Sequence, residues 1–346
     1  MALKTFKHGI HPEYCKELAS GKKIETAPIP KRVIIPLQQH VGAPCSPLVK
    51  KGEEVSQGQK IGDTQAFVSS PVHASISGKV KDIAPCPYPV GGKINSIIIE
   101  GDGSSPDYPE EKEISLDPEA LSPDDIRLKV REAGIIGMGG AAFPTHVKLT
   151  PPKGVKIDTV VINACECEPY LTADHRLMVE ESQRLMWGIK VVMKAVGAKR
   201  AVIGVEVNKP DAIDALKKEL NAFPNIELVS LETKYPQGAE KMLIKAVLDR
   251  CVPVGKLPFD VGVVVNNVGT MVAIYHALSD SRPLIERVVT VTGKGIKEPK
   301  NLKLKVGTTF KEAIDLCGGL TANGKTKVLM GGPMMGIAQM DLSVPV

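Results

Sequence analysis

Between residues 122 and 278 the sequence alternates strand-sized apolar runs with segments of helical periodicity, and that alternation leaves few folds open. The runs are DTVVIN (158–163), AVIGVEV (201–207), IELVSLE (226–232) and VGVVVNN (261–267). Ser122 followed by Pro123, Asp124 and Asp125 predicts a capped helix start, with the helix running to about Ala133 and stopping at Gly134. Residues 174–196 carry Leu177, Met178, Leu185, Ile189 and Val192 at helical spacing, and further helices are predicted over 210–220, 238–249 and 270–278. Strands and helices in this rhythm predict a mostly parallel sheet with helices on its faces.

Open sheets of that kind bind ligands beyond the carboxyl ends of their strands. Here those ends are polar. They supply Asn163, Cys165, Glu166, Cys167, Glu168 and Tyr170, then Glu206 and Asn208, then Tyr235, Gln237 and Glu240, and lastly Asn266 and Asn267. Taken singly, each is an ordinary solvated loop; four in one chain predict a single polar crevice. Gly137-Met138-Gly139-Gly140, leading to Phe143 and Pro144, allows close backbone approach to a phosphate or an aromatic ring. It follows a helix rather than a strand, and no Gly-Lys-Ser/Thr closes it, so it is neither a dinucleotide fingerprint nor a Walker loop. Lys148 stands near enough to offset negative charge. Cys165 and Cys167 lack a second pair and read as packed thiols rather than metal ligands. His146 and His175 have no nucleophile motif beside them, so a hydrolytic triad is unsupported.

The rest of the chain divides by composition. Residues 1–29 are polar and irregular and read as an N-terminal extension. Residues 30–101 hold short strand-like runs (RVIIPL, SGKVKDI, NSIIIE) with glycine turns, a small all-β module. Within it GEEVSQGQKIG and SSPVHASISGKV look like the halves of a lipoyl or biotinyl carrier. The tip reads Val72-His73-Ala74-Ser75, without a carrier lysine; Lys79 comes past the turn, so a docking or structural role is expected. GDGSSPDYPEEKE (101–113) reads as a linker. After 283, RVVTVTGKGI, NLKLKVG, TTFKEAIDLCG and TKVLMGG predict an α+β unit of the β-grasp kind. No closing element follows, which suggests a piece of a longer protein. The expected division is 1–29, 30–112, 113–282 and 283–346.

The 346 residues, 43% apolar and 24% charged, suit a multi-domain globular protein. A net charge of +5 with only 4% aromatics argues against nucleic-acid binding. No apolar run approaches the roughly 20 residues that span a bilayer, and the first residues lack a signal-peptide centre. Seven scattered cysteines without any CxxC point to reduced thiols and away from an iron–sulfur or zinc-ribbon site within this chain.

GMGGAAFPTHVKL, NACECEPYLTADHRLM and VVVNNVGT together resemble the RnfC family, the C subunits of the Rnf electron-transport complex. They resemble more distantly the NADH- and FMN-binding subunit of respiratory complex I. The resemblance covers essentially the whole chain. It implies an N-terminal barrel-sandwich hybrid, a central α/β Rossmann-like flavin- and NADH-binding domain and a C-terminal soluble-ligand-binding β-grasp (SLBB) domain. It implies FMN and NAD(H) as cofactors. Gly137, Gly139, Gly140, Phe143 and Lys148 match the glycine loop along both cofactors. Asn163, Glu166 and Glu168 match the acidic loop beside the flavin, and Tyr235 with Glu240, and Asn266 with Asn267, match further contacts. Glu206 joins them as the polar end of its strand.

The relatives commonly carry Arg at Met138, Asp at Cys165 and two adjacent Glu at Ala239 and Glu240, which leaves phosphate binding and the NADH contacts less well defined. RnfC proteins continue into 4Fe-4S iron–sulfur clusters whose cysteine motifs are missing here. The implied setting is the cytoplasmic side of the membrane, as a peripheral subunit bound to other Rnf subunits and linked indirectly to ferredoxin. Two other functions stay open: a non-catalytic docking scaffold, and a flavin reductase acting on a corrinoid, which the domain order disfavours.

Overall fold

Four parallel strands form the centre: β1 (Thr159–Ala164), β2 (Arg200–Glu206), β3 (Ile226–Leu231) and β4 (Val263–Asn267), in the spatial order β3-β2-β1-β4. This architecture comes from a computed structural model that describes residues 3–104, 117–321 and 326–346. The chain steps from β1 to β2 to β3 on one side, then returns to lay β4 on the other side of β1. The strand order therefore reverses between β1 and β4, the place where open α/β sheets leave a crevice. Residues alternate between faces as the pleat requires. Val160, Ile162 and Ala164 enter the core beneath most of the helices, and Val161 enters the opposite core with Leu243, Ile244 and Val247.

The longer helices of this unit are α1 (Pro123–Glu132), α2 (Ala173–Glu180), α3 (Ser182–Val196), α4 (Pro210–Glu219), α5 (Glu240–Leu248) and α6 (Val268–Ser279), and a single turn, Thr145–Lys148, carries Lys148. α1 begins as the sequence predicts, with Ser122 Oγ accepting from the Asp125 amide at 3.1 Å, and ends at Gly134 with φ +69°. The single helix expected over 174–196 is two helices. Glu181 leaves helical geometry at φ −126°, and its carbonyl accepts from the Leu185 amide to start α3. Both helices bury their apolar faces in the same core, so the spacing of apolar residues runs on across the break. α3 lies so close to α6 that a Cβ on Gly188 would stand 2.2 Å from the Met271 carbonyl.

The all-β module is a four-stranded sheet (Arg32–Pro36, Lys93–Gly101, Gly78–Pro87, Glu54–Val55) facing a three-stranded one (Ser46–Pro47, Lys60–Asp63, Val72–His73). Val33, Ile35, Ile61, Ile76, Ile97 and Ile99 fill the space between. The module docks on the end of α1. Arg131 Nη2 donates to Asp63 Oδ1 at 2.8 Å, and Lys60 pairs with both Glu132 and Asp63. The carrier-like tip is inside this dock: His73, Ala74 and Ser75 are buried, and Ser75 Oγ donates to the Val306 carbonyl at 2.6 Å. A swinging arm has no room there. Burial holds the His73 imidazole down at about 4.

Past α6, Glu286–Val291 pairs antiparallel with Lys300–Lys305, and helix α7 (Phe310–Asp315) follows with a Thr309–Glu312 capping box. The third strand of this sheet comes from the other end of the chain: Ile24–Thr26 runs parallel to Lys300–Lys305. The run containing Val328–Met330 is a strand, as expected, but pairs with Ile337–Gln339 in a separate hairpin. Most of the predicted linker, residues 105–113, lies outside the described residues. Among the described residues no helix is long and apolar enough to cross a membrane.

Candidate functional site

The carboxyl ends of β1 and β4 are where the predicted residues meet. Asn267 caps α6: its Oδ1 accepts from the Gly269 amide at 2.8 Å and its Nδ2 donates to Asp174 Oδ2 at 2.5 Å. The glycine loop backs onto this cap. Gly139, at φ +71°, is so close that a Cβ would stand 2.6 Å from Asn267 Nδ2, so a side chain there would be strained and would displace the Asn267 amide. The Gly137 amide donates to the Phe143 carbonyl at 2.8 Å, and the Met138 amide donates to Thr270 Oγ1 at 2.9 Å, so the loop is closed and pinned to α6. Gly140 faces open space. Lys148 Nζ donates to the Val265 carbonyl at 3.0 Å and stands 3.6 Å from Glu240 Oε1, joining the glycine side of the crevice to the start of α5. Asn163 Nδ2 closes the circuit by donating to the Gly238 carbonyl at 2.7 Å.

The acidic loop forms the other wall. Glu166, at φ +46°, turns its carboxylate onto the first turn of α2, accepting from the Asp174 and His175 amides at 2.8 and 3.3 Å. Such a cap satisfies orphan amides and complements the helix dipole. Glu168 turns the other way and accepts from the Met334 and Met335 amides at 2.6 and 3.2 Å. The C-terminal hairpin therefore closes over this carboxylate. Glu206 lies fully buried beneath, 3.0 Å from Lys209 Nζ; burial pushes its carboxyl up while Lys209 pulls it down. Tyr235 exchanges backbone hydrogen bonds with Ile10 at 2.8 Å each way, and burial with the charge of Glu168 raises its phenol.

The histidine and cysteine side chains singled out in the sequence make contacts within the protein. His146 Nε2 is 3.1 Å from the Phe67 carbonyl in the all-β module, and His175 Nε2 is 2.6 Å from Asp211 Oδ1. Cys165 is buried with Sγ 3.6 Å from the Gly204 carbonyl, and Cys167 Sγ accepts from the Gly238 amide. Among the described residues no three His, Cys, Asp or Glu side chains gather to hold a metal.

Sequence reasoning passed over Asp174 and, as a site residue, Gln237. Asp174 packs against Glu166 and Asn267, and burial together with the Glu166 charge pushes its carboxyl up to about 7 against the pull of Asn267 and Arg287. The available signal was an acidic residue in a first helical turn directly after an acidic loop. Gln237 is fully buried, and neither amide atom finds a partner among the described residues; Asn266, 4% exposed, likewise leaves Nδ2 unpartnered there. Buried polar atoms are almost always paired. Unpartnered amides at the end of β4 and in the loop before α5, in a unit whose glycine loop is bare at Gly140, fit a flat polar ligand such as a flavin.

A family model described as the FMN-binding domain of Nuo51 matches residues 130–276, one for the RnfC barrel-sandwich hybrid domain matches 4–104, and one for the SLBB domain matches 288–338. The RnfC protein of Clostridium ljungdahlii, from its proton-translocating ferredoxin:NAD(+) oxidoreductase complex, is 50% identical over 99% of this chain and 75% of its own length. The corresponding protein of the Na(+)-translocating complex of Acetobacterium woodii is 47% identical over 99% of this chain and 77% of its own. The chain belongs to the RnfC family.

The corresponding protein of the ion-translocating oxidoreductase complex of Rhodobacter capsulatus is 40% identical over 99% of this RnfC chain and 66% of its own length. An NAD+-reducing nickel–iron hydrogenase shares the fold, with a TM-score of 0.50 at 24% identity over 59% of this chain and 41% of its own. Of the positions where the resemblance expected other residues, Cys165 is fully buried, and Met138 and Ala239 lie beside the starts of two helices. Met138 Sδ would lie 3.2 Å from a Cβ on Gly269, so this thioether covers the first turn of α6. Ala239 is the residue that precedes α5, immediately before Glu240.

Proposed function

We propose that this RnfC chain binds FMN and NAD(H) in the crevice between β1 and β4 and carries the NADH-oxidising step of a membrane-associated, ion-translocating NAD:ferredoxin oxidoreductase. FMN, when bound, supplies a carrier that takes a hydride and can release electrons singly. The residues of this chain hold and tune. The glycine loop, bare at Gly140, allows close backbone approach. Asn266 offers an amide donor with no partner among the described residues. Asn163 and Asn267 are committed to Gly238 and Asp174 and fix the walls, while Asn267 orients the α6 N-terminus, a ready anion-binding end. Lys148 offsets phosphate or reduced-flavin charge. Glu166, Glu168, Glu206 and Glu240 set a negative field, and Tyr235 lines the far side. Electrons would pass to 4Fe-4S clusters outside these residues and on to the other Rnf subunits and ferredoxin, with the chain peripheral on the cytoplasmic face. The expected domain division, 1–29, 30–112, 113–282 and 283–346, belongs to the same reading.

The observation that carries this reading is the unpartnered Asn266 amide at the end of β4, where strand order reverses, with the glycine loop packed on the neighbouring Asn267. The test is a visible spectrum after FMN addition and desalting, followed by anaerobic NADH. Retained flavin that bleaches is expected. Retained but unbleached flavin would remove the NADH part. No retained flavin on a folded chain would favour the docking scaffold, which the closure of the hairpin over Glu168 also supports.

A further inference from the structure

The acidic loop is held from behind by two buried ammonium groups. Lys209, fully buried, donates to the Cys165 carbonyl, to Glu206 Oε2 at 3.0 Å and to Asn208 Oδ1 at 2.9 Å. Lys16, 8% exposed, comes from the N-terminal segment and donates to the Leu171 carbonyl at 2.5 Å and the Glu168 carbonyl at 3.0 Å, with Glu166 Oε2 at 4.0 Å. The carbonyls of residues 165, 168 and 171 thus wrap around two cations. An ammonium donates three hydrogen bonds; Lys209 makes three here, and Lys16 makes two with Glu166 as its ion-pair partner.

The segment that delivers Lys16 is anchored on both sides. Upstream, Ile10 bridges Tyr235, Tyr14 Oη donates to the Thr233 carbonyl at 3.1 Å, and the Tyr170 amide donates to the Tyr14 carbonyl at 2.8 Å. Downstream, Arg176 Nη1 donates to the Ser20 carbonyl, and Ile24–Thr26 joins the β-grasp sheet. Residues 4–26 therefore run as a strap from the edge of the central sheet, past the acidic loop, to the C-terminal unit. Burying a lysine costs solvation, and a strap with this many backbone bonds does not need one merely to stay attached.

We propose that Lys16 is a positioning residue of the crevice, fixing the 165–171 loop by its main-chain carbonyls and supplying a fixed positive charge to the site that Glu166 and Glu168 border. The loop part stands on geometry alone; the charge part rests on the flavin reading above. With the charge present, a reduced flavin, which carries more negative charge, is favoured. The strap thereby makes the site depend on a segment more than a hundred residues away in sequence from the loop it braces.

The test uses the full chain with Lys16→Met, Lys16→Gln and Lys16→Arg, each checked for folding by circular dichroism. Hydrogen–deuterium exchange needs no flavin. In Lys16→Met, amides of residues 164–173 should exchange at least about tenfold faster while α3 and the all-β module stay unchanged, and Lys16→Arg should recover part of the protection. Should Lys16→Met not fold, Lys16→Gln, which keeps a donor and drops the charge, is read the same way. Unchanged exchange in the neutral variants overturns the proposal. In the second measurement FMN should bind at least about tenfold more weakly to Lys16→Met and, once bound, show a lower midpoint potential that Lys16→Arg restores. A loosened loop with an unshifted potential overturns the charge role. Failure of the unsubstituted chain to bind FMN overturns the flavin reading and the charge role with it, and leaves exchange to decide the loop.

Discussion

The dock between the all-β module and α1, and the crevice between β1 and β4, are built from the same kinds of residue and end differently. At the dock, Lys60, Asp63, Arg131 and Glu132 pair with one another, and Gly134 lies so close to the module that a Cβ would stand 2.5 Å from the Pro71 carbonyl. At the crevice, Asn266 and Gln237 keep amides unpartnered among the described residues, and Gly140 faces open space. The charged groups of the first surface are paired within the chain, although His146 Nδ1 beside it is also unpartnered among the described residues. The second is left with hydrogen-bonding capacity for something else, and buried capacity of that kind is costly to leave unused. A polar residue at a strand end is thus informative only once its partners are counted.

Four experiments would break or sharpen that contrast. Gly140→Trp should have the largest effect on cofactor binding: the ring would enter the open space and reduce FMN retention about a hundredfold or more, while thermal stability stays within about 0.5 kcal/mol because the site is exposed. Full flavin occupancy after desalting would mean that the open face is not a binding face. Arg131→Met removes one of the two cations on Asp63 and Glu132 and leaves both carboxylates to Lys60; urea denaturation should show a loss of about 1 kcal/mol, toward the exposed-pair end of the range. FMN affinity should not move, and a parallel loss would merge the two regions into one.

Asp174→Asn tests the crevice by pH. The folded carboxyl sits at about 7, above its ordinary value near 3.8, so its contribution to stability is complete below about 4 and is lost as pH rises through 7. The variant should therefore gain on the unsubstituted chain by up to about 4 kcal/mol between pH 4 and 8, read from denaturation curves at each pH. A gap that does not change with pH would show that Asp174 is not held in that way. The smallest effect is expected for Lys51→Ala, whose pair with Asp82 is 70% and 45% exposed; it should cost under about 0.5 kcal/mol and leave both regions untouched.

Much of the central fold was legible because its signals are local. Ser122, Pro123 and Gly134 mark α1, and the continuous valine and isoleucine runs mark strands buried on both faces. The N-terminal segment was not legible. Its strand Ile24–Thr26 is three residues long and gains its partner from residues 301–303, a pairing that no window of sequence contains. The break at Glu181 was hidden for a related reason: helical periodicity reports the buried face, which α2 and α3 share, and not the continuity of the backbone. In the site, Asn163, Asn266, Asn267 and the glycine loop stood out by residue type. Asp174 did not, because an acidic first-turn residue is commonplace and only its proximity to Glu166 and Asn267 makes it unusual.

The sequence alone determined that a parallel sheet forms, that its strand ends are polar and that a glycine loop without a nucleotide fingerprint accompanies them, since hydrophobic period and backbone permissiveness are properties of short stretches. Tertiary structure alone decided the order β3-β2-β1-β4 that brings the ends of β1 and β4 together, the closure of the C-terminal hairpin over Glu168 and the delivery of Lys16 beneath the acidic loop. Those depend on which distant groups become neighbours. Whether a polar side chain is left with a free hydrogen bond is settled only after every neighbour has taken its share.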